Sequence, residues 1–170
     1  MQEAGFEFTV ASFDTNEDFD PLMPVKEVAP MLAQRKARAC AHLIQDQEVI
    51  LAADSTVVIG DLILNKPENY DDAVRMLRLL SGNQHTVVTG ICLLGKEKEV
   101  VLAGHTEVWF DALTAEEIDY YIRTYAPYDK AGSYGAQEWI GHCKINKIEG
   151  SYPNVMGLPM DMVYRELMRF

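Results

Sequence analysis

Cysteine is scarce in this chain, and what there is does not cluster. Cys40, Cys92 and Cys143 have no metal-ligand spacing, and their odd number makes a disulfide framework improbable, so a reducing cytoplasmic setting is expected. Long apolar runs are also missing. No window approaches 18 uninterrupted apolar residues, and the opening MQEAGFEFTV has no basic segment followed by an apolar one, which argues against a membrane span or a leader. Cations are in short supply: 15 Lys and Arg stand against 26 Asp and Glu, a formal net charge of -11. A sequence pI near 4.7 argues against a nucleic-acid or anionic-membrane surface, because either needs clustered basic residues. There is no Walker A loop, no G-x-S-x-G and no G-x-G-x-x-G. Any phosphate-bearing ligand must therefore be met locally, by a few placed cations.

What is present alternates between strand and helix. With 170 residues, 48% of them hydrophobic, and no repeat, low-complexity block or linker, residues 1–170 read as one domain. FEFTV is a short strand candidate leading into an acidic loop, FDTNEDFDP. VKEVAPMLAQRKARACAHLI carries Val28, Leu32, Ala39 and Leu43 at helical spacing, with Pro30 tolerable only near the first turn. EVILAAD reads as a strand, and VVIGDLIL as a hairpin turning at Gly60-Asp61. Asp71 or Asp72 is expected to cap the next helix, and Gly82 to end it. HTVVTGICLLG and VVLAGHTEVWF are further β-rich runs; Thr114 and Glu117 form a capping box for a helix that Pro127 stops, and a last helix starts at Pro159. The expected class is α/β, a sheet with helices on its faces.

Asp54 interrupts the apolar run LAADSTVVIG. The polar triplet Asp54-Ser55-Thr56 is expected where a strand leaves the sheet, a place where a carboxylate can bind a divalent cation or take a proton from water; a turn or capping aspartate is the alternative. Lys66 is fixed by the following Pro67 and can neutralise phosphate oxygens, although a solvated loop lysine has the same local sequence. Arg35, Lys36 and Arg38 form a local positive patch, one member of which could face an anion rather than solvent. In YDKAGSYGAQEWIG, glycines allow close approach of a ligand, Tyr134 and Trp139 offer a stacking surface, and the Gln137 carboxamide could read a nucleobase edge; a plain β-turn region fits too. GSYPNVMGLP makes a similar tight connection. The four histidines are isolated and read as surface or satisfied residues.

Taken together, AADS, NKP, MLRLLSGNQHTVVTG, LTAEEIDYYI, DKAGSYGAQEWIG and GSYPNVMGLP resemble the Maf family of nucleoside triphosphate pyrophosphatases, in order and spacing, from about residue 5 to the end. The resemblance implies an elongated mixed α/β sheet with flanking helices and a central cleft, like the inosine triphosphatases, commonly as a homodimer. It implies cleavage of a nucleoside triphosphate between the α- and β-phosphates with a divalent cation, magnesium or manganese. Asp54 matches the catalytic proton acceptor, Glu17 a glutamate of the site, and Lys36 and Lys66 its two lysines. Asp54 and Glu17 are the implied metal-holding pair. Ser55 and Gln137 match the branch that hydrolyses dTTP and UTP, in contrast to the 7-methyl-GTP branch, with Ser55 in place of the more usual threonine. Family members open with a strand and a Ser-x-Ser-Pro-Arg-Arg motif; none is present here, so that strand and helix are expected to be missing, at the cost of unpaired sheet backbone. A non-catalytic nucleotide-binding regulator, of the kind linked to inhibition of septum formation, is the alternative that the absent arginines suggest.

Overall fold

The computed structural model describes all residues 1–170. At its centre is a five-stranded sheet in the order β2-β1-β3-β4-β5, with β1 at Ile50–Ile59, β2 at Leu62–Leu64, β3 at Gln84–Leu94, β4 at Glu99–Phe110 and β5 at Ile145–Glu149. Every pairing is antiparallel. The β1–β2 hairpin turns at Gly60-Asp61, where Gly60 supplies the positive φ that such a two-residue turn needs. Helices α1 (Val25–Ala39), α2 (Tyr70–Leu80) and α3 (Ala115–Tyr125) pack around the sheet, followed by the short α4 (Trp139–Lys144), α5 (Tyr152–Val155) and α6 (Met160–Leu167). No helix is long and apolar enough to cross a membrane.

The two faces of the sheet are covered differently. On one face lies the main core, where Val57 and Val87 meet Met76, Leu77 and Leu80 of α2, Ile118, Tyr121 and Ile122 of α3, and Tyr134 and Ile140. On the other lies α1 alone, which approaches through small residues: Ala29 packs on Val58 and Val88, and Ala33 and Ala37 pack on Cys92. This approach depends on Gly90. A Cβ there would stand 2.3 Å from the Ala29 carbonyl carbon and the Pro30 nitrogen, so only glycine lets the helix backbone lie this close to the strand.

Four local expectations are corrected. FEFTV forms no strand; residues 6–20 carry no regular secondary structure and have no partner strand, and Phe8 and Val10 are exposed. Asp54 does not end a strand but sits inside β1, paired with Gly90 of β3, because the apolar alternation resumes at Val57 and the ladder runs through it. Asn69, not Asp71 or Asp72, caps α2: its backbone is extended and its side chain accepts the Asp72 N–H, while Asp72 binds Arg75. Finally, α1 stops at Ala39, with Ala41–Leu43 a separate 3-10 turn, and Pro30 lies in its second turn, beyond the first. The Thr114–Glu117 capping box is formed in full, and α3 ends with Ala126 in the left-handed region just before Pro127.

Candidate active site

Side chains alternate along β1, so Asp54 and Ser55 point to opposite faces. Asp54 is on the α1 face with Gly90, and Ser55 is on the core face with Thr89. Both nevertheless line one cleft of about 770 Å³, together with Glu17, Lys66, Lys130 and Gln137.

On the α1 face four charged groups come together from separate segments. Lys36, near the end of α1, donates its Nζ–H to Asp54 Oδ1 and stands 2.8 Å from Glu17 Oε1. Lys66, after the β1–β2 hairpin, lies 3.8 Å from Glu17 Oε2. Glu17 belongs to the irregular acidic segment, yet it is fixed there, because the Arg35 guanidinium donates to the carbonyls of Asn16 at 2.5 Å and Asp18 at 2.8 Å. The positive patch of α1 is thus divided: Arg35 holds the loop, Lys36 enters the site, and Arg38 forms a two-pronged pair with Glu99 of β4.

Burial sets the electrostatics. Only 12% of the Asp54 side chain is exposed, against 48% for Glu17. Burial pushes the Asp54 carboxyl above its ordinary range, and the Lys36 ammonium offsets this only in part. For Lys36, burial favours the neutral amine, but hydrogen bonds and charge from Asp54 and Glu17 outweigh it and hold the ammonium above its ordinary value. Glu17 moves down, chiefly through its hydrogen bond to Lys36, with Lys66 adding to the effect. No group of three or more His, Cys, Asp or Glu side chains stands close enough to hold a metal ion. What the site offers a cation is two carboxylates, between which the Lys36 ammonium lies. Two hard oxygen donors suit a magnesium-like ion that takes its remaining ligands from phosphate and water.

The core face of the cleft is built from hydroxyls and a turn. The Ser55 Oγ lies 2.8 Å from Thr89 Oγ1, which donates to the Asn154 carbonyl at 3.1 Å. Asn154 is buried and locks the GSYPNVMGLP turn to the sheet, donating to the Val87 carbonyl at 3.1 Å and to Thr106 Oγ1 at 3.0 Å. Gly157, at φ +102, then returns the chain so close that a Cβ on it would be 3.6 Å from Ser55 Oγ. Gln137 presents an exposed carboxamide to the same space. Of the expected aromatic surface, Tyr134 lines the cleft and Trp139 does not. Tyr134 is buried, with its hydroxyl 2.7 Å from His85 Nε2 and its ring edge-on to Phe110, and Trp139 packs edge-on against Tyr120 away from the cleft.

The six residues matched through the family resemblance, Glu17, Lys36, Asp54, Ser55, Lys66 and Gln137, therefore line or contact the cleft, whereas Arg38 and Trp139 do not. Sequence reading missed Arg35 as the anchor of Glu17, Thr89 and Asn154 as supports of Ser55, and Lys130. A lysine in the glycine-rich stretch DKAGSYG was the available signal for the last.

Comparison with known proteins gives a consistent picture. The model of the Maf family, described as Maf-like protein, matches residues 1–170. A dTTP/UTP pyrophosphatase of Porphyromonas gingivalis is 45% identical over 159 residues, covering 92% of this chain and 80% of the relative. One from Bacteroides fragilis is 42% identical over 168 residues, 98% of this chain and 87% of the relative, and one from Flavobacterium johnsoniae is 37% identical over 167 residues, 98% and 86%.

Proposed function

Since this chain belongs to the Maf family, we propose that it is a nucleoside triphosphate pyrophosphatase that hydrolyses dTTP and UTP to the monophosphate and pyrophosphate. The observation that carries this reading is the meeting of Asp54, Lys36, Glu17 and Lys66 at one wall of the cleft, with Ser55 and Gln137 lining its remainder.

The roles follow from the geometry. Asp54 is the proton acceptor: burial makes its carboxylate more basic than an exposed aspartate, which favours taking a proton from water. Lys36 holds that carboxylate in the absence of substrate. When a triphosphate enters, its oxygens compete for the Lys36 ammonium; as Lys36 turns to them, an Asp54 oxygen is freed to accept a proton. Water then attacks the α-phosphorus and gives its proton to Asp54, while the bond from the α-phosphorus to the bridging oxygen breaks and its electron pair leaves with pyrophosphate. Lys36 and Lys66 neutralise the charge that collects on the departing group. Asp54 and Glu17 would hold a magnesium or manganese ion, whose Lewis acidity polarises the phosphoryl oxygens. On the opposite face Gln137 reads the base edge, and Ser55, fixed by Thr89, closes the base subsite. A homodimeric assembly and a cytoplasmic setting, without nucleic acid or membrane partners, complete the reading.

The test is release of pyrophosphate from dTTP, UTP, ATP and GTP in magnesium or manganese, with an Asp54→Asn variant alongside. Turnover of the two pyrimidine substrates that depends on Asp54 is expected. Equal rates in the two proteins would remove Asp54 from the chemistry, and nucleotide binding without turnover would leave a non-catalytic binding protein instead.

A further inference from the structure

The cleft holds a third lysine that the mechanism above does not use. Lys130 lines the cleft with 22% of its side chain exposed, whereas its neighbour Asp129 is 77% exposed. Its ammonium is not free to wander. It donates to Asp129 Oδ1 at 2.8 Å and lies 3.3 Å from Glu138 Oε1, and Glu138 is held in turn by the Tyr121 hydroxyl, which donates to Oε2 and accepts the Gly135 N–H at 3.0 Å. Gly135 leaves the space that this needs, since a Cβ there would come within 2.9 Å of the Glu138 carboxylate carbon. A half-buried carboxylate, a largely buried tyrosine hydroxyl and a glycine thus cooperate to fix one ammonium at the cleft wall, more than a solvated surface lysine requires.

The placement is also informative. The Gly132 N–H donates to the Asn65 carbonyl at 3.2 Å, which ties the Lys130 loop to the residue just before Lys66. The charge of Lys66 is felt both at Asp54 and at Asp129, the neighbour of Lys130. Lys66 thus shares the cleft with the Asp54–Lys36 pair and is tied through Asn65 to the Lys130 loop. A chain of phosphates held at Asp54 and Lys66 would have the Lys130 loop as its neighbour along the cleft wall.

We propose that Lys130 is a third phosphate-binding ammonium of the cleft, which contacts the part of the substrate that leaves as pyrophosphate. The proposal rests on the pyrophosphatase reading of the site, but its test does not require turnover. Inorganic pyrophosphate, with magnesium, is titrated calorimetrically into the wild-type chain and into Lys130→Gln and Lys130→Arg variants shown by thermal melting to be folded. Loss of one charge-assisted contact predicts that Lys130→Gln weakens pyrophosphate binding by about tenfold, with Lys130→Arg largely restoring it. Unchanged affinity in folded Lys130→Gln, or no pyrophosphate binding by the wild-type chain, overturns the proposal. Lys130-dependent pyrophosphate binding by a wild-type protein that turns over neither dTTP nor UTP would instead overturn the pyrophosphatase reading and leave the Lys130 contact standing.

Discussion

The two faces of β1 are one residue apart in sequence and differ in almost every physical respect. The face that carries Asp54 is thinly covered by α1 through alanines and Gly90, and its chemistry consists of paired charges reaching in from α1, the acidic segment and the β1–β2 hairpin. The face that carries Ser55 is backed by a deep apolar core and presents hydroxyls, a buried asparagine and a locked turn. The difference teaches that strand alternation can largely separate two tasks, with Lys130 the one cation brought in from the core side. Moving protons and neutralising phosphate need charges with access to water; discriminating a base needs a rigid wall of neutral donors and acceptors. Under the proposed function, placing both around one strand would keep the reacting and the recognised ends of a nucleotide a fixed distance apart.

The largest effect is expected on the charged face. Asp54→Asn keeps the shape and the strand but removes the proposed base, and a loss of about a thousandfold in kcat for dTTP is expected, with KM and melting temperature little changed. A similar loss of stability instead would make Asp54 a structural member of the Lys36 pair.

The core face should respond to acid through stability rather than through catalysis. His85 is buried there, and burial lowers its pKa from the ordinary 6.5 to about 4. Between those values the unfolded chain binds the proton and the folded chain does not, so stability is complete above about pH 6.5, declines as pH falls through this window and is lost below about 4. The contribution is about 3 kcal/mol. Urea unfolding at pH 7 and pH 4.5 measures it, and His85→Gln, which keeps a partner for the Tyr134 hydroxyl, should flatten the dependence. An unaltered slope would assign the acid sensitivity to carboxylates elsewhere.

Gly90→Ala probes how the charged face is assembled. Its added Cβ meets helix backbone, which cannot turn aside as a side chain could. A cost of about 2 kcal/mol is expected, together with reduced activity as α1 and Lys36 lift away from Asp54. Unfolding and turnover measured on the same preparation check both effects, and full activity would mean that Lys36 does not depend on the close approach of α1. Ser55→Ala should have the smallest effect. Thr89 keeps its bond to Asn154, so a few-fold change in the preference for dTTP over a purine triphosphate is expected, with stability within about 0.5 kcal/mol of wild type. The ratio of kcat/KM values for the two substrates reads it directly.

Much of this contrast was legible in the sequence where the signals are local. The Gly60-Asp61 turn, the Thr114–Glu117 capping box and the stop before Pro127 depend on a few neighbouring residues, and each formed as expected. FEFTV failed because a strand exists only when another strand pairs with it, and β-propensity carries no information about a partner. Asp54 was expected at a strand end because its polarity breaks an apolar run; the ladder to β3, set by residues more than thirty positions away, decided otherwise. The same limit applies to the site. Asp54, Lys36, Glu17 and Lys66 could be named from motif resemblance, but the Arg35 clamp on Asn16 and Asp18, which lets Glu17 reach the site, spans 19 and 17 residues and left no pattern to read. Gly90 likewise looks like an ordinary strand glycine until α1 is placed over it.

The central claim is that the two faces of β1 divide chemistry from base selection, and it is tested most directly by the discrimination between dTTP and dGTP in Asp54→Asn and Gln137→Ala proteins. Asp54→Asn should lower kcat for both substrates by the same factor and leave the ratio of their kcat/KM values unchanged, whereas Gln137→Ala should collapse that ratio while the kcat for dTTP stays near wild type. A collapsed ratio in Asp54→Asn, or an equal loss of kcat on both nucleotides in Gln137→Ala, would contradict it.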